Sequence, residues 1–147
     1  MKKTLIALVM MLSMSSISAF AGEDIVNEKV LSAFKQDFNN ATDVRWIEGE
    51  DYYKAEFIYN SQQISAYYNT SGELYGITRY ITSPDLPLNL QINLKRDYSQ
   101  YWITNLFEVA KKDGTSYFIT LEDADTRIIL KASDGYNWTA WKKTKKS

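Results

Sequence analysis

The chain has 147 residues and a formal net charge of −1, and it contains neither cysteine nor histidine. These absences exclude disulfides, thiol nucleophiles, zinc thiolate sites and every site that needs an imidazole. Catalysis would have to depend on carboxylates, Lys, Tyr or Ser. Aromatic residues make up 14% of the chain, and 11 of them are Tyr. Aromatic side chains are therefore the first candidates for core packing and for binding.

The N-terminus has the three parts of a secretory signal peptide, and we predict that residues 1–21 are removed on export. A positive segment, Met1-Lys2-Lys3, precedes an uncharged apolar stretch from Thr4 to Ser18, and Ala19-Phe20-Ala21 supplies small residues at a cleavage site. The apolar stretch of about 15 residues is shorter than the roughly 20 that a spanning helix needs. No lipidation cysteine and no second apolar stretch follow. We expect a periplasmic or secreted protein with no stable membrane insertion after cleavage.

The predicted mature chain is mildly acidic. Residues 1–21 carry two of the 17 basic residues and none of the 18 acidic ones, so the remaining 126 residues have a net charge of −3. A nucleic-acid partner requires a basic surface that displaces counterions. We therefore expect no nucleic-acid partner.

The first elements after the leader are a helix and a set of strands. Residues 25–38 are predicted to form an amphipathic helix, because Val26, Val30, Phe34 and Phe38 recur every four residues. Strands follow, since apolar and polar side chains alternate and turn residues separate the runs. The predicted strands are Val44–Trp46, Tyr53–Tyr59, Ile64–Tyr68 and Leu74–Ile81.

The segment after residues 83–87, which hold both prolines, fits either a strand or a helix by its periodicity. An internal repeat favours a helix from Pro87 to Tyr98, because Lys35-Gln36-Asp37-Phe38 recurs there as Lys95-Arg96-Asp97-Tyr98. Four more strands are then predicted. They are Trp102–Ala110, Ser116–Glu122, Thr126–Lys131 and Tyr136–Trp141.

The predicted fold class is α+β, with tandem α-β4 units at about residues 22–82 and 83–142. Each unit has one apolar helix stripe and one apolar strand face to bury. The simplest arrangement packs both helices on one face of a continuous antiparallel sheet. The other face of the sheet would then be open to solvent.

Several short motifs occur together along this plan. The first unit contains Val30-Leu31-Ser32-Ala33-Phe34-Lys35, Val44-Arg45-Trp46, Tyr53-Lys54-Ala55-Glu56-Phe57 and Ala66-Tyr67-Tyr68-Asn69. The second unit contains Asp85-Leu86-Pro87, Tyr98, Tyr117 and Ser133-Asp134-Gly135. In combination they resemble the PepSY-like family, also described as β-lactamase-inhibitor-like exported bacterial proteins. The resemblance implies tandem α-β4 units and a role in binding or restraining another protein outside the cytoplasm.

The open sheet face is the predicted binding surface, because Tyr offers a large and stiff contact area. Because side chains alternate between the two faces of a strand, every second side chain points away from the helices. The predicted partner-binding residues are Tyr52, Lys54, Glu56, Tyr67 and Phe118. Strand propensity and cross-strand pairing explain the same aromatics without a partner.

Two charged segments near the C-terminus have two interpretations each. Glu122-Asp123-Ala124-Asp125 resembles the start of a calcium loop but lacks its glycine and distal glutamate, so we predict a hairpin turn. Residues 142–147 include four lysines and are predicted to be a solvated, frayed end. The alternative is a contact with an acidic partner or an anionic envelope surface.

Trp138 and Trp141 are predicted on opposite faces of the last strand, one packed and one exposed.

These features predict an exported, non-catalytic protein-binding module, an inhibitor or regulator of an envelope or secreted enzyme, with an unknown protein partner outside the cytoplasm. No cofactor and no metal are predicted. The alternative is an envelope protein that binds a small ligand or glycan with the same aromatics. A carboxylate hydrolase is the weakest hypothesis, because nothing in the sequence brings two acids together.

Overall fold

The computed structural model describes residues 20–21 and 25–147 of the chain. Within them helix α1 spans Glu28–Asp37 and helix α2 spans Leu88–Asp97. Nine strands form one antiparallel sheet in which neighbours in space are neighbours in sequence. The strands are β1 Phe20–Ala21, β2 Thr42–Glu48, β3 Tyr52–Tyr59, β4 Gln62–Asn69, β5 Leu74–Tyr80, β6 Trp102–Lys111, β7 Gly114–Glu122, β8 Thr126–Ala132 and β9 Thr139–Lys145.

The register places both helices on the same face of the sheet. Ile77 of β5 packs against the core beneath α1 and pairs with Ala110 of β6. Leu106, four residues before Ala110 on β6, belongs to the core beneath α2. Because every second side chain of a strand points to the same face, these three residues share one face. The predicted α+β fold, with two helices on one face of an antiparallel sheet, is therefore confirmed.

The helix-covered face contains two hydrophobic cores. Beneath α1, Phe34 packs among the buried rings of Trp46 and Phe57. Beneath α2, Leu90 packs with aliphatic side chains such as Leu130, and both are fully buried. Burial of these apolar surfaces is the main force that holds each helix on the sheet.

The turn between β4 and β5 docks on the start of α1. The side chain of Asn27 caps the helix by accepting a hydrogen bond from the backbone N–H of Val30 at 3.0 Å, and it donates one to the carbonyl of Thr70 at 2.8 Å. Gly72 in this turn has φ +86°, and a Cβ there would lie 2.8 Å from the carbonyl oxygen of Lys29. The close approach of turn and helix therefore requires glycine at this position.

The last strand differs from the prediction. The predicted strand Tyr136–Trp141 is wrong in its limits, since β9 spans Thr139–Lys145. The Asp134 carboxylate accepts hydrogen bonds from the backbone N–H groups of Tyr136 and Asn137 and holds them in a turn.

The prediction of a frayed tail is also wrong, because most of residues 142–147 lie in β9 and pair with β8. The end of the strand is held further by Lys146, whose backbone N–H donates to the carbonyl of Asp125 at 2.8 Å. Strand β8 supplies backbone hydrogen bonds to this segment, and the local sequence of the segment does not predict them.

The predicted signal peptide lies outside the described residues, apart from Phe20 and Ala21. These two residues pair with Ile47 and Trp46 of β2. In the described part of the chain, no helix is long and apolar enough to cross a membrane. The unit boundaries near residues 82 and 142 remain a prediction.

Candidate functional site

The first unit brings four of the predicted site residues together on the face opposite the helices. Lys54 of β3 lies directly across from Tyr67 of β4, with its amine 5.8 Å from the centre of the Tyr67 ring. The ring of Tyr52 lies 6.1 Å from that of Tyr67. Glu56 follows Lys54 on the same face of β3, and its carboxylate accepts a hydrogen bond from the Lys54 amine at 2.5 Å. The fifth residue, Phe118, lies in the second unit.

The charged groups in this cluster form ion pairs with one another. The Glu56 carboxylate lies 2.5 Å from the Lys54 amine and 3.7 Å from the guanidinium of Arg45. Burial disfavours the charged amine of Lys54, but the Tyr67 oxygen and the Glu56 carboxylate outweigh it, so that the pKa of Lys54 is raised. Burial also raises the pKa of Tyr67, against the opposing effect of Lys54. At neutral pH the Lys54 amine is therefore charged and the Tyr67 phenol is neutral.

A polar cleft of about 240 Å³ lies over the middle of this face. Lys54, Glu56 and Tyr67 line it from the first unit, and Phe107 of β6 lines it from the second. Tyr80 of β5, the strand that lies between β4 and β6, lines it as well. The cleft therefore extends from β3 and β4 across β5 to β6.

An aromatic row crosses the second half of the same face. It consists of Tyr80, Phe107, Phe118 and Trp141. The Phe107 and Phe118 rings are stacked at 5.2 Å and 6°, while Tyr80 meets Phe107 at 6.4 Å and Trp141 meets Phe118 at 5.8 Å, both edge-on. These distances and angles are those that aromatic pairs prefer. The row connects Phe118 to the cleft through Phe107.

Two residues of the predicted exposed patch, Tyr67 and Phe118, are buried in the structure. Tyr67 is 5% exposed and Phe118 is 3% exposed, so the expectation that both are accessible is wrong. Tyr52 and Lys54 contact the ring of Tyr67, and Trp141 with the Lys131 amine, 5.6 Å from the ring centre, cover Phe118. Side chains from neighbouring strands thus shield residues that no helix covers.

Two exposed aromatics on this face are not among the predicted partner-binding residues. Tyr80 is 70% exposed and Trp141 is 39% exposed, and they end the aromatic row. Alternation from Thr78 would have placed Tyr80 on this face, since Thr78 pairs with Ser65. Trp141 lies at a register shift of β9, where alternation gives no guide. Trp138 lies on the helix side, where its indole N–H donates to the carbonyl of Leu90 at 3.1 Å.

The acidic segment after β7 is a hairpin turn, as predicted. The Asp123 carboxylate accepts hydrogen bonds from the backbone N–H groups of Asp125 and Thr126, at 2.9 and 2.6 Å. Glu122 lies 2.7 Å from the Lys146 amine and 2.6 Å from the Arg127 guanidinium, and these contacts lower its pKa. The structure shows no cluster of three or more metal-ligating side chains among residues 20–21 and 25–147.

Glu56 is the one carboxylate among the described residues that line the cleft. Glycoside hydrolysis generally requires a pair of carboxyl groups on either side of the scissile bond. The cleft therefore lacks the geometry that the hydrolase hypothesis needs.

The fold is shared with several solved structures. No family model matches the chain, and no curated protein matches it in sequence. A BLIP-like protein from Bacteroides fragilis superimposes with a TM-score of 0.69 at 15% identity, over 81% of this chain and 85% of that one. A DUF2874 family protein from Bacteroides ovatus gives a TM-score of 0.71 at 19% identity, over 80% and 86% of the two chains.

A third similar structure is a protein from Bacteroides eggerthii that is provisionally described as periplasmic. It gives a TM-score of 0.71 at 14% identity and covers 82% of this chain and 88% of that one. At these identities the likeness establishes a common fold. This chain therefore has the fold of BLIP-like and DUF2874 proteins.

Proposed function

We propose that the chain is an exported, non-catalytic protein-binding module of the PepSY-like type, which acts in the periplasm or outside the cell. Its partner docks on the open face of the sheet and is an envelope or secreted enzyme that the module inhibits or regulates. The signal-peptide pattern of residues 1–21 supports export. The shared fold with a BLIP-like protein and with a protein described as periplasmic supports the same class of role.

The observation that carries the proposal is the aromatic row with its accessible ends. Tyr80 and Trp141 project from a face that neither helix covers, and the stacked rings of Phe107 and Phe118 hold them in place. Rigid aromatic side chains lose little entropy on binding and are frequent energetic centres of interfaces. The buried rings act as a support for the exposed ones.

The predicted site residues have two roles in this proposal. Lys54 and Glu56 contact the partner at the cleft, where each charge of the partially buried ion pair can meet a polar group of the partner. Tyr52 contacts the partner beside the cleft, next to the ring of Tyr67. Tyr67 and Phe118 stay beneath the contact surface and fix the position of their neighbours. Binding is thus divided between a polar half and an aromatic half of one face.

Site-specific photo-crosslinking in the native envelope tests this assignment. A photo-reactive phenylalanine analogue replaces Tyr80, and in a matched control it replaces Tyr136, which is 61% exposed. Tyr136 lies in the turn that the Asn93 side chain contacts on α2, away from the open face. We expect a defined crosslinked protein from position 80 and none from position 136.

A double variant provides the second readout. Tyr80→Ala with Trp141→Ala is expected to abolish the crosslink formed by a probe at Tyr52, while Tyr136→Ala leaves it unchanged. Crosslinks of equal yield at both positions, or none at Tyr80 and Tyr52, would contradict docking on this face.

A small ligand or glycan is a second candidate, favoured by the chemistry of the cleft. Its lining includes the amides of Gln63 and Asn105 and the hydroxyls of Ser65 and Thr78 beside the ring of Tyr80. Such groups can form hydrogen bonds to hydroxyls while a ring stacks on a sugar face. Chemical-shift changes confined to these residues on titration with envelope oligosaccharides would favour this function, and an unchanged spectrum would exclude those ligands.

A further inference from the structure

Strand β9 forms one edge of the sheet and is exposed along its whole length. All seven of its residues are solvent-exposed, and it pairs with β8 on one side. In the described part of the chain no strand pairs with its other side. Its outward backbone N–H and C=O groups can therefore accept an additional strand.

Three lysines on this edge form no ion pair with any described residue: Lys142, Lys143 and Lys145. By contrast, the Lys146 amine is engaged by the Glu122 carboxylate at 2.7 Å. The three amines give the edge a local charge of +3 in a predicted mature chain of net charge −3. The edge is thus a basic element of an acidic protein.

The register divides these charges between the two faces. Lys143 lies opposite Ile128 and Lys145 lies near it opposite Thr126, so both stand on the helix side. Lys142 lies opposite Ile129 on the open face. A strand added outside β9 would place alternate side chains within about 5 Å of these lysines. Acidic residues two apart in the added strand would pair with Lys143 and Lys145.

Charge also disfavours the β9 edge of a second copy of this chain as the occupant. Pairing of two β9 edges would set lysine against lysine, which is destabilising for directly opposed residues. Lysines on an edge strand oppose such self-association. The same lysines attract an acidic strand.

We propose that the free edge of β9 binds an extended, acidic polypeptide segment by strand addition. Backbone hydrogen bonds provide the pairing, and Lys142, Lys143 and Lys145 select for carboxylates at alternate positions. Strand β9 also carries Trp141 of the aromatic row, but strand addition uses the backbone edge and the three lysines rather than the Trp141 ring. Reversal of the lysines therefore tests this site, and substitution of Tyr80 tests the open face.

A binding assay with a designed peptide tests the proposal. The probe is a fluorescent peptide in which Glu alternates with Val or Thr, and its anisotropy is measured with the purified protein. We expect saturable binding that weakens with added salt, together with slowed hydrogen exchange of β9 amides. Reversal of the three lysines to Glu is expected to weaken binding by at least about tenfold.

The matched control reverses three lysines elsewhere. Lys29→Glu, Lys35→Glu and Lys95→Glu change the net charge equally but lie exposed on the two helices. We expect this variant to bind within about twofold of the wild type, since these charges lie on the helices and not on the edge strand. If the triple β9 variant fails to fold, Lys143→Gln with Lys145→Gln removes two charges with little change in shape.

A second peptide separates strand addition from simple charge attraction. Methylation of every other backbone nitrogen keeps the carboxylates but removes the N–H groups that pair with β9. We expect this peptide not to bind. Equal binding of the methylated peptide, equal loss in the helix-lysine control, or stronger binding to vesicles with anionic lipid headgroups would overturn the proposal. Absence of any peptide binding would overturn it as well.

Discussion

The two halves of the described fold, which correspond to the two predicted units, each contain one helix followed by four strands, but they bury different kinds of side chain. In the first unit the Phe34 ring lies 5.1 Å from that of Trp46 and 5.0 Å from that of Phe57, both near perpendicular. In the second unit the buried side chains beneath the helix are aliphatic, and the aromatic residues that pack against them, such as Trp138, are only partly buried. The fully or nearly fully buried aliphatic residues include Leu90, Leu106, Ile119, Leu121 and Leu130.

This difference shows that the fold of a helix on four strands depends on which positions are apolar, and not on whether the buried side chains are aromatic or aliphatic. Helix stripes four residues apart and strands with a period of two recur in both units. Cores tolerate a change of apolar residues when volume and pattern are kept together. The open face also differs between the two units. The first unit has the Lys54–Glu56 ion pair there, and the second has the stacked rings of Phe107 and Phe118.

The largest expected effect concerns the two cores. Phe34→Ala is expected to lower the free energy of unfolding by about 4 kcal/mol, and Leu90→Ala by about 3 kcal/mol, because the ring leaves the larger cavity. Urea denaturation measures both. Leu88→Ala on the same helix as Leu90 serves as control, since Leu88 is 69% exposed and should change stability by less than about 0.5 kcal/mol. A smaller loss for Phe34→Ala than for Leu90→Ala would contradict the comparison.

An intermediate effect is expected at the start of the helices. Asn27→Ala removes the cap of α1 and the bond to Thr70, and we expect a loss of about 1.5 kcal/mol. Asn27→Ser keeps a capping oxygen and should lose less. In the second unit, Pro87 precedes α2 and makes no side-chain cap bond. A loss for Pro87→Ala equal to that for Asn27→Ala would show that the capping bonds do not distinguish the units.

The smallest expected effect is a difference in acid sensitivity between the two turns. In the first unit the turn is held by the amide of Asn69, which accepts from the backbone N–H groups of Ser71 and Glu73, both at 2.9 Å. In the second unit Asp134 has this role, and the N–H groups of Tyr136 and Asn137 lower its pKa. A carboxyl whose pKa is lowered on folding stabilises the fold above its unfolded pKa, near 3.8, and this contribution disappears as the pH falls through the folded pKa.

Amide hydrogen exchange across this pH range measures the effect. After correction for the intrinsic rate, we expect protection of the Tyr136 amide to fall below a pH of about 3.8, while that of Ser71 stays constant. Asp134→Asn should make the second turn as insensitive to pH as the first. Parallel changes at both turns would indicate global acid unfolding instead.

The candidate site was only partly predictable, for reasons that particular residues illustrate. Alternation along β3 and β4 places Lys54 and Tyr67 on one face, because side-chain direction is a local property of a strand. The burial of Phe118 is not local, since Phe107 lies on the preceding strand and Trp141 comes from β9, more than 20 residues later. Exposure of an aromatic ring therefore depended on which strands became neighbours.

The amino-acid sequence by itself determined the order of elements, the two helices near their observed limits and the face of each regular strand. Local periodicity accounts for these predictions except at α2, where the internal repeat decided between a helix and a strand. Only the tertiary structure decided which open-face aromatics are accessible and that the lysine-rich end forms a strand. A run such as Lys142-Lys143-Thr144-Lys145 has little tendency to form a strand alone. It becomes one because β8 offers a row of backbone partners and Glu122 holds Lys146. Pairing energy between distant segments thus overrides local preference, and the same pairing leaves the free basic edge on which the proposed strand addition depends.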